Sequence, residues 1–251
     1  MNKHSDLVLE YKNLKEVSST NDFLRDYDSI ADITVLSTSY QTKGRGQMGN
    51  TWISNDGENA LFSILVRPVN LKAAESFVLS QAMALSVKEV LDGYLNGISI
   101  KWPNDIYCGD KKICGTLIEN MLMGKFVGRS VIGSGINVNQ TEFPDGLAAP
   151  ATSLRIYIKR KVSPTDIIRS VAERFARYYE EIQTGHFDHI REEYHRHLYL
   201  RGERHCFQDE TGAFTGVISH VEPDGHIIIV DEDGLSRRFA FKQVKLKRKK
   251  E

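Results

Sequence analysis

Residues 101–120, KWPNDIYCGDKKICGTLIEN, bring a cation (Lys101), an amide beside a carboxylate (Asn104, Asp105) and a cationic pair (Lys111, Lys112) into one short stretch. Lysines neutralise anionic groups, and a carboxylate beside an amide offers hard oxygen ligands or a proton acceptor. The elements that must position these groups are readable around them. Ile98, Ile100 and Trp102 alternate with Ser99 and Lys101, the period of a half-buried strand. Pro103 removes a backbone donor and ends that ladder, so Asn104 and Asp105 fall at a strand end. Ile106–Cys108, the turn Gly109-Asp110 and Lys112–Glu119 predict a hairpin. Acid, amide and lysine thereby converge at one sheet edge, a geometry suited to an anionic substrate and its metal. A solvated strand face with an ordinary polar turn is the competing reading.

Three other stretches carry candidate groups. Ser18-Ser19-Thr20-Asn21-Asp22 opens a helix whose stripe is Phe23, Leu24, Tyr27 and Ile30. Such residues are ordinary helix caps, but a helix start also presents hydroxyls and free amides to a ligand. A strand over Ile33–Ser39 delivers Gln41-Thr-Lys-Gly-Arg-Gly-Gln-Met-Gly49, which contains G-x-G-x-x-G at Gly44, Gly46 and Gly49. The dinucleotide fingerprint needs a helix directly behind its glycines, and NTWISNDGENALFSILV is polar and then strand-like, so a Rossmann site is rejected. An anion-cradling loop remains open beside a plain flexible one, with Arg45 as a forked donor and Trp52 as a flat face or core filler. Finally, a strand over Phe126–Val138 contains Gly133, Gly135 and Asn137, small residues that mark either ligand approach or close sheet packing.

The chain has 251 residues, with Lys+Arg and Asp+Glu equal at 33 each, so no global field favours nucleic acid or membrane. The basic run from Lys242 to Lys250 reads as a solvated tail. Three cysteines without a CxxC pair argue against disulfides and structural zinc and fit a reducing, cytoplasmic setting. The N-terminus lacks a signal-peptide core, and no apolar run reaches membrane-spanning length. Ala60–Arg67 predicts a buried strand, 71–92 an amphipathic helix, and Ser163-Pro164-Thr-Asp166 a capped helix start. A helix over 186–200 carries His186, His189, His195 and His197, which read as exposed rather than metal-binding. From about residue 201, short alternating runs predict a small antiparallel barrel of about five strands.

KWPND with KKICGTLIEN, QTKGRG followed by Trp52, and GSGIN together resemble the biotin protein ligase family, in its bacterial form without an N-terminal DNA-binding domain. The resemblance implies an α+β catalytic domain over 1–200, like class II synthetases, whose mixed, largely antiparallel sheet is backed by helices; an SH3-like barrel follows over 201–251. It implies activation of biotin by ATP, with Mg²⁺, to biotinyl-AMP, then transfer to a lysine of a biotin carboxyl carrier domain. Ser19, Thr20, Asn21, Gln41, Gly44, Arg45, Lys112, Gly115 and Gly133 then meet biotin. Arg45, Gly46, Gln47, Trp52, Asn104, Lys112 and Asn137 meet ATP or the adenylate, and Lys112, Arg45, Asp105 and Asn104 carry the chemistry. No DNA or membrane partner is expected, and a homodimer is compatible with the resemblance. Many family members have a second arginine where this chain has Gln47, which leaves one fewer loop cation to hold the intermediate. A lipoate or octanoate ligase-like enzyme is the alternative from the same architecture, and a nucleic-acid-binding module the alternative from another class.

Overall fold

The apolar runs fold as strands, and the computed structural model, which describes residues 7–147 and 149–247, joins seven of them into one mixed sheet. In chain order these are β1 (Leu9–Val17), β2 (Ile33–Gln41), β3 (Ala60–Val66), β4 (Ile98–Lys101), β5 (Asp105–Cys108), β6 (Lys111–Met123) and β7 (Phe126–Ile136). Across the sheet the order is β1-β2-β3-β7-β6-β5-β4. β1 runs parallel to β2 and the other neighbours pair antiparallel, as expected. β3 is central and buried along its whole length, which is why ALFSILV reads as an unbroken apolar run instead of an alternating one.

Helices cover both faces. α1 (Thr20–Arg25) lies on one, where Leu24 packs with Leu36, Leu65 and Val131. On the other, α2 (Phe77–Asp92) and α4 (Pro164–Gln183) bury their apolar stripes against Ile33, Ile64 and Ile132, with α5 (Asp188–Arg196) beside them. The short α3 (Leu154–Ile158) follows the β7 exit. Ser163 caps α4, its Oγ accepting from Asp166 N–H at 3.3 Å.

Three helices are shorter than their sequence pattern. α1 stops at Arg25, short of Tyr27 and Ile30, and Ile30 is fully exposed. The stretch before Phe77 divides between the sheet and a 3-10 turn: Val127 N–H donates to Leu71 O at 2.8 Å and Ala73 N–H to Lys125 O at 2.9 Å, and Ala73–Glu75 then forms a short 3-10 helix. After α5 the chain straightens to close the open edge of β4, with Ile100 N–H on His197 O at 2.9 Å and Tyr199 N–H on Ile100 O at 2.8 Å. The histidines are not uniformly exposed either. His186 and His189 are, but His195 and His197 are half-buried, and burial holds both pKa values below the ordinary value; His195 Nε2 accepts from Val221 N–H at 2.8 Å.

A second sheet follows: β8 (Arg204–Gln208), β9 (Ala213–Val221), β10 (Ile227–Asp231), β11 (Ser236–Phe239) and β12 (Lys245–Leu246), antiparallel in the order β11-β10-β9-β8-β12. Phe207, Val221, Ile229 and Phe239 belong to the same buried cluster as the first sheet's helical face. Trp102 joins the two sheets directly, donating from Nε1 to Gly225 O at 2.9 Å and meeting Phe241 edge-on at 6.1 Å. Residues 248–251 of the basic tail lie outside the described residues.

Candidate active site

Strand register assembles the site. β3 to β7, β6, β5 and β4 place Leu61, Gly135, Gly115, Asp105 and Lys101 in one row, and Ser63, Gly133 and Leu117 in the next. Directly opposite residues share a sheet face, and this is the face that carries α1. Three glycines in the centre therefore leave a trough between the α1 start and the β4–β5 end. A cavity of about 500 Å³ occupies it.

Each glycine clears space for a named neighbour. A Cβ on Gly133 would lie 2.2 Å from Asn21 Oδ1, one on Gly135 2.3 Å from the Trp52 indole, and one on Gly115 2.9 Å from Lys112 Nζ. All three sit at φ values any residue adopts, so the requirement is steric. Gly44 behaves differently. It does not line the cavity; its would-be Cβ falls 2.5 Å from Trp52 O, so it lets the loop close on its own return strand, where Trp52 N–H donates to Gly44 O at 3.0 Å.

The α1 start forms one end wall. Ser19 Oγ caps the helix from Asp22 N–H, and Thr20 N–H donates to Gln41 Oε1 at 2.8 Å. Gln41 thereby commits its oxygen to the helix and keeps its amide N–H₂ for the cavity. Ser63 Oγ lies 2.6 Å from Asn21 Oδ1, while Asn21 Nδ2 donates to Glu119 Oε2 at 2.7 Å. Both polar ends of the buried Asn21 amide are thus fixed.

Lys112 forms the other end. The 150–152 segment zips along it, with Lys112 N–H on Pro150 O at 2.8 Å and Thr152 N–H on Lys112 O at 2.9 Å. Its Nζ sits 2.6 Å from Asp105 Oδ1 and 5.7 Å from the Trp52 ring centroid. Asn104, in the turn after the cis peptide Trp102–Pro103, is stapled to β6 by its amide on Thr116 O and by Thr116 N–H on its own carbonyl at 2.9 Å. Asn137 is tied likewise, donating to Thr152 O at 3.0 Å. Both line the cavity but serve also as its frame.

The loop carries Arg45, Gly46, Gln47 and Trp52 to the cavity wall. The indole Nε1 of Trp52 and the Oε1 of Gln47 are buried without a partner among the described residues, a costly arrangement that a ligand's polar atoms can relieve. Arg45 does not stand free for a phosphate. Its Nη2 lies 2.8 Å from Glu119 Oε2 and 2.8 Å from Asp22 Oδ1. Sequence reasoning missed both acids. Glu119 was legible, since it follows Gly115 and Leu117 at the strand period of two and so shares their face. Phe143, Pro144, Leu147, Ala149 and Phe241, which also line the cavity, carry no chemical signature in sequence.

Asp105 is the one carboxylate among the described lining residues. With Asn104 Oδ1 it supplies the hard oxygen donors that suit Mg²⁺, an ion bound through few side chains and several phosphate oxygens and waters. Cys114 is fully buried, and burial pushes its thiol up to about 12, which favours the neutral form. Cys108 is buried as well, whereas Cys206 is exposed.

Comparison with known proteins agrees with the geometry. The model of the biotin/lipoate A/B protein ligase family matches residues 14–137. The bifunctional ligase/repressor BirA of Bacillus subtilis is 29% identical over 210 residues, covering 82% of this chain; the chain spans 64% of that relative's length. A biotin–[acetyl-CoA-carboxylase] ligase of Paracoccus denitrificans is 28% identical over 199 residues, covering 75% of this chain and 80% of the relative. Among solved structures, the biotin protein ligase of Aquifex aeolicus in complex with biotin and ATP superposes with a TM-score of 0.78 at 28% identity, covering 96% of this chain and 99% of that one. The trough, its lysine and its glycine loop all fall within or beside the matched segment. Residues 14–137 thus match the biotin/lipoate A/B protein ligase family, and the relatives and solved structures similar over most of the chain are biotin protein ligases.

Proposed function

We propose that this protein activates biotin with ATP and passes the biotinyl group to a lysine of a carboxyl carrier domain. The observation that carries the reading is the glycine-floored trough with Lys112 at one end and the Asn21–Gln41 wall at the other. A narrow bicyclic urea and its acid chain fit a trough that is apolar along its floor and polar at its ends. Catalysis is assigned to the domain over 1–200, with the second sheet, through Gly225, supporting Trp102 and the strand end behind it.

In the first step the biotin carboxylate attacks the α-phosphorus, a C–O–P bond forms and pyrophosphate leaves. Two anions must meet, so fixed positive charge where negative charge accumulates is the main requirement. Lys112 supplies it at the carboxylate and α-phosphate, and Arg45 at the phosphates. Mg²⁺, held by Asp105 and Asn104, would spread the triphosphate charge. Trp52 offers the flat face for adenine, with Gly46, Gln47 and Asn137 around the nucleotide.

In the second step the carrier amine attacks the acyl carbon, AMP departs and the amine loses a proton. Asp105 is assigned to orient that amine: Oδ1 is held by Lys112, which leaves Oδ2 for the incoming group. Lys112→Ala should abolish biotin-dependent ATP–pyrophosphate exchange in a protein that still unfolds cooperatively; near-normal exchange overturns the assignment. Asp105→Ala tests the second step alone, since transfer from preformed adenylate in a single turnover should slow, and an unchanged rate removes the role. Substituting lipoate for biotin in the exchange assay separates the two ligase classes.

A further inference from the structure

Arg45 belongs to a closed ring of four charges. Asp22 Oδ1 lies 2.8 Å from Nη2 of both Arg25 and Arg45, and Glu119 meets Arg25 at 3.1 Å and Arg45 at 2.8 Å. Asp22 and Arg25 are on α1, Glu119 is on β6, and Arg45 is the loop's contribution. The ring therefore pins the loop to a helix and a strand that are themselves part of the core. Isolated surface pairs are worth little, but four charges that each touch two opposites form a network whose members hold one another in place.

The atoms engaged are as informative as the ring. Both acids take Arg45 by Nη2, and Glu119 does so with both oxygens, at 2.8 Å and 3.0 Å. Among the described residues no hydrogen bond engages Nη1 or Nε. A guanidinium presents five N–H donors in a rigid fork, so holding one end orients the other. Glu119 also accepts from Asn21, whose amide is fixed from the far side by Ser63. One carboxylate thus ties the end wall of the trough to the loop arginine.

We propose that Glu119 is a positioning residue for the ligation: with Asp22 it holds Arg45 by Nη2, seats the loop on the cavity, and presents the unengaged edge of the guanidinium to the nucleotide phosphates. The proposal rests on the ligase reading for what Arg45 meets, but not for the anchor itself. An arginine already ordered loses less freedom when a phosphate arrives, and that difference appears in the transition state if the phosphate charge grows there.

The ATP–pyrophosphate exchange of wild type, Glu119→Gln, Arg45→Ala and the double variant, together with tryptic cutting after Arg45 in the absence of ligands, tests it. The amide oxygen that Glu119→Gln leaves in place can still accept from Asn21, so the biotin KM should stay within about threefold, whereas kcat/KM for ATP should fall on the order of 10-fold, the worth of a charge-assisted contact. In the Arg45→Ala background Glu119→Gln should add no further loss. Cutting after Arg45 should be faster in Glu119→Gln than in wild type. An unchanged ATP kcat/KM, a full additional loss in the Arg45→Ala background, or equal cutting rates would each overturn the proposal. Asp22→Asn, which removes the other acid, should speed cutting in the same way and serves should Glu119→Gln not fold. If the wild type shows no biotin-dependent exchange, the ligase reading falls, while the proteolysis arm still decides the anchor.

Discussion

At the scale of single residues, the site depends on what is absent from three positions as much as on what is present at others. Gly133 is the sharpest case, because the space a methyl would take is already filled by the Asn21 amide. Gly133→Ala should weaken biotin binding on the order of 100-fold by displacing Asn21, measurable by calorimetry on a protein of near-normal Tm. Glu119 makes a different prediction. Burial opposes its charge, but hydrogen bonds from Asn21 and Arg45 and the charges of Arg45 and Arg25 outweigh that and hold its pKa below the usual 4.5. A carboxyl lowered by folding stabilises the fold fully above its unfolded value and loses that contribution as pH falls through its folded one. The stability gap between wild type and Glu119→Gln in urea should therefore be level from pH 8 to 5 and close below about pH 4.5. Lys112 and Asp105 were legible in sequence because a strand end and a hairpin fix their distance. The partnership of Glu119 with Asp22, far apart in sequence, appears only once α1 packs on the sheet.

Elements were legible where their period was regular and misjudged where a neighbour competed for the backbone. The capped start of α4 and the unbroken β3 are local properties and came through from the pattern alone. The first residues predicted for α2 went to the β6–β7 hairpin, leaving Ala73–Glu75 as a separate 3-10 turn, and the tail of α5 went to the edge of β4, since unpaired strand groups outweigh helix propensity. On the proposed ligase reading, retention of the intermediate is assigned to the 42–51 loop. It has one fixed arginine, and its Gln47 keeps a buried oxygen without a partner among the described residues. Gln47→Arg should slow escape of biotinyl-AMP by about 10-fold, the worth of one added charge-assisted contact, read by the fraction of adenylate that stays with the protein through gel filtration. An unchanged escape rate would move the control of retention elsewhere.

At the scale of the whole molecule, the two sheets share one buried cluster, with Trp102 at the seam between the KWPND strand and the second sheet. The change of texture near residue 201 was readable as a new sheet, but its union with the first core was not, because Phe207, Val221 and Phe239 alternate as any sheet's inner face does. Trp102→Phe keeps one aromatic ring but loses the fused ring that carries the donor to Gly225 O, and should cost about 2 kcal/mol in urea unfolding, from the lost hydrogen bond and the space left behind. Unfolding should remain a single transition, since no separate apolar core is left for the second sheet among the described residues.

The burial of Cys108 and Cys114, with Cys206 left on the surface, has a practical consequence. A maleimide dye offered to the native protein should attach at one place only, on β8 and away from the trough, so fluorescence can follow how the second sheet responds to substrates in an otherwise unmodified chain.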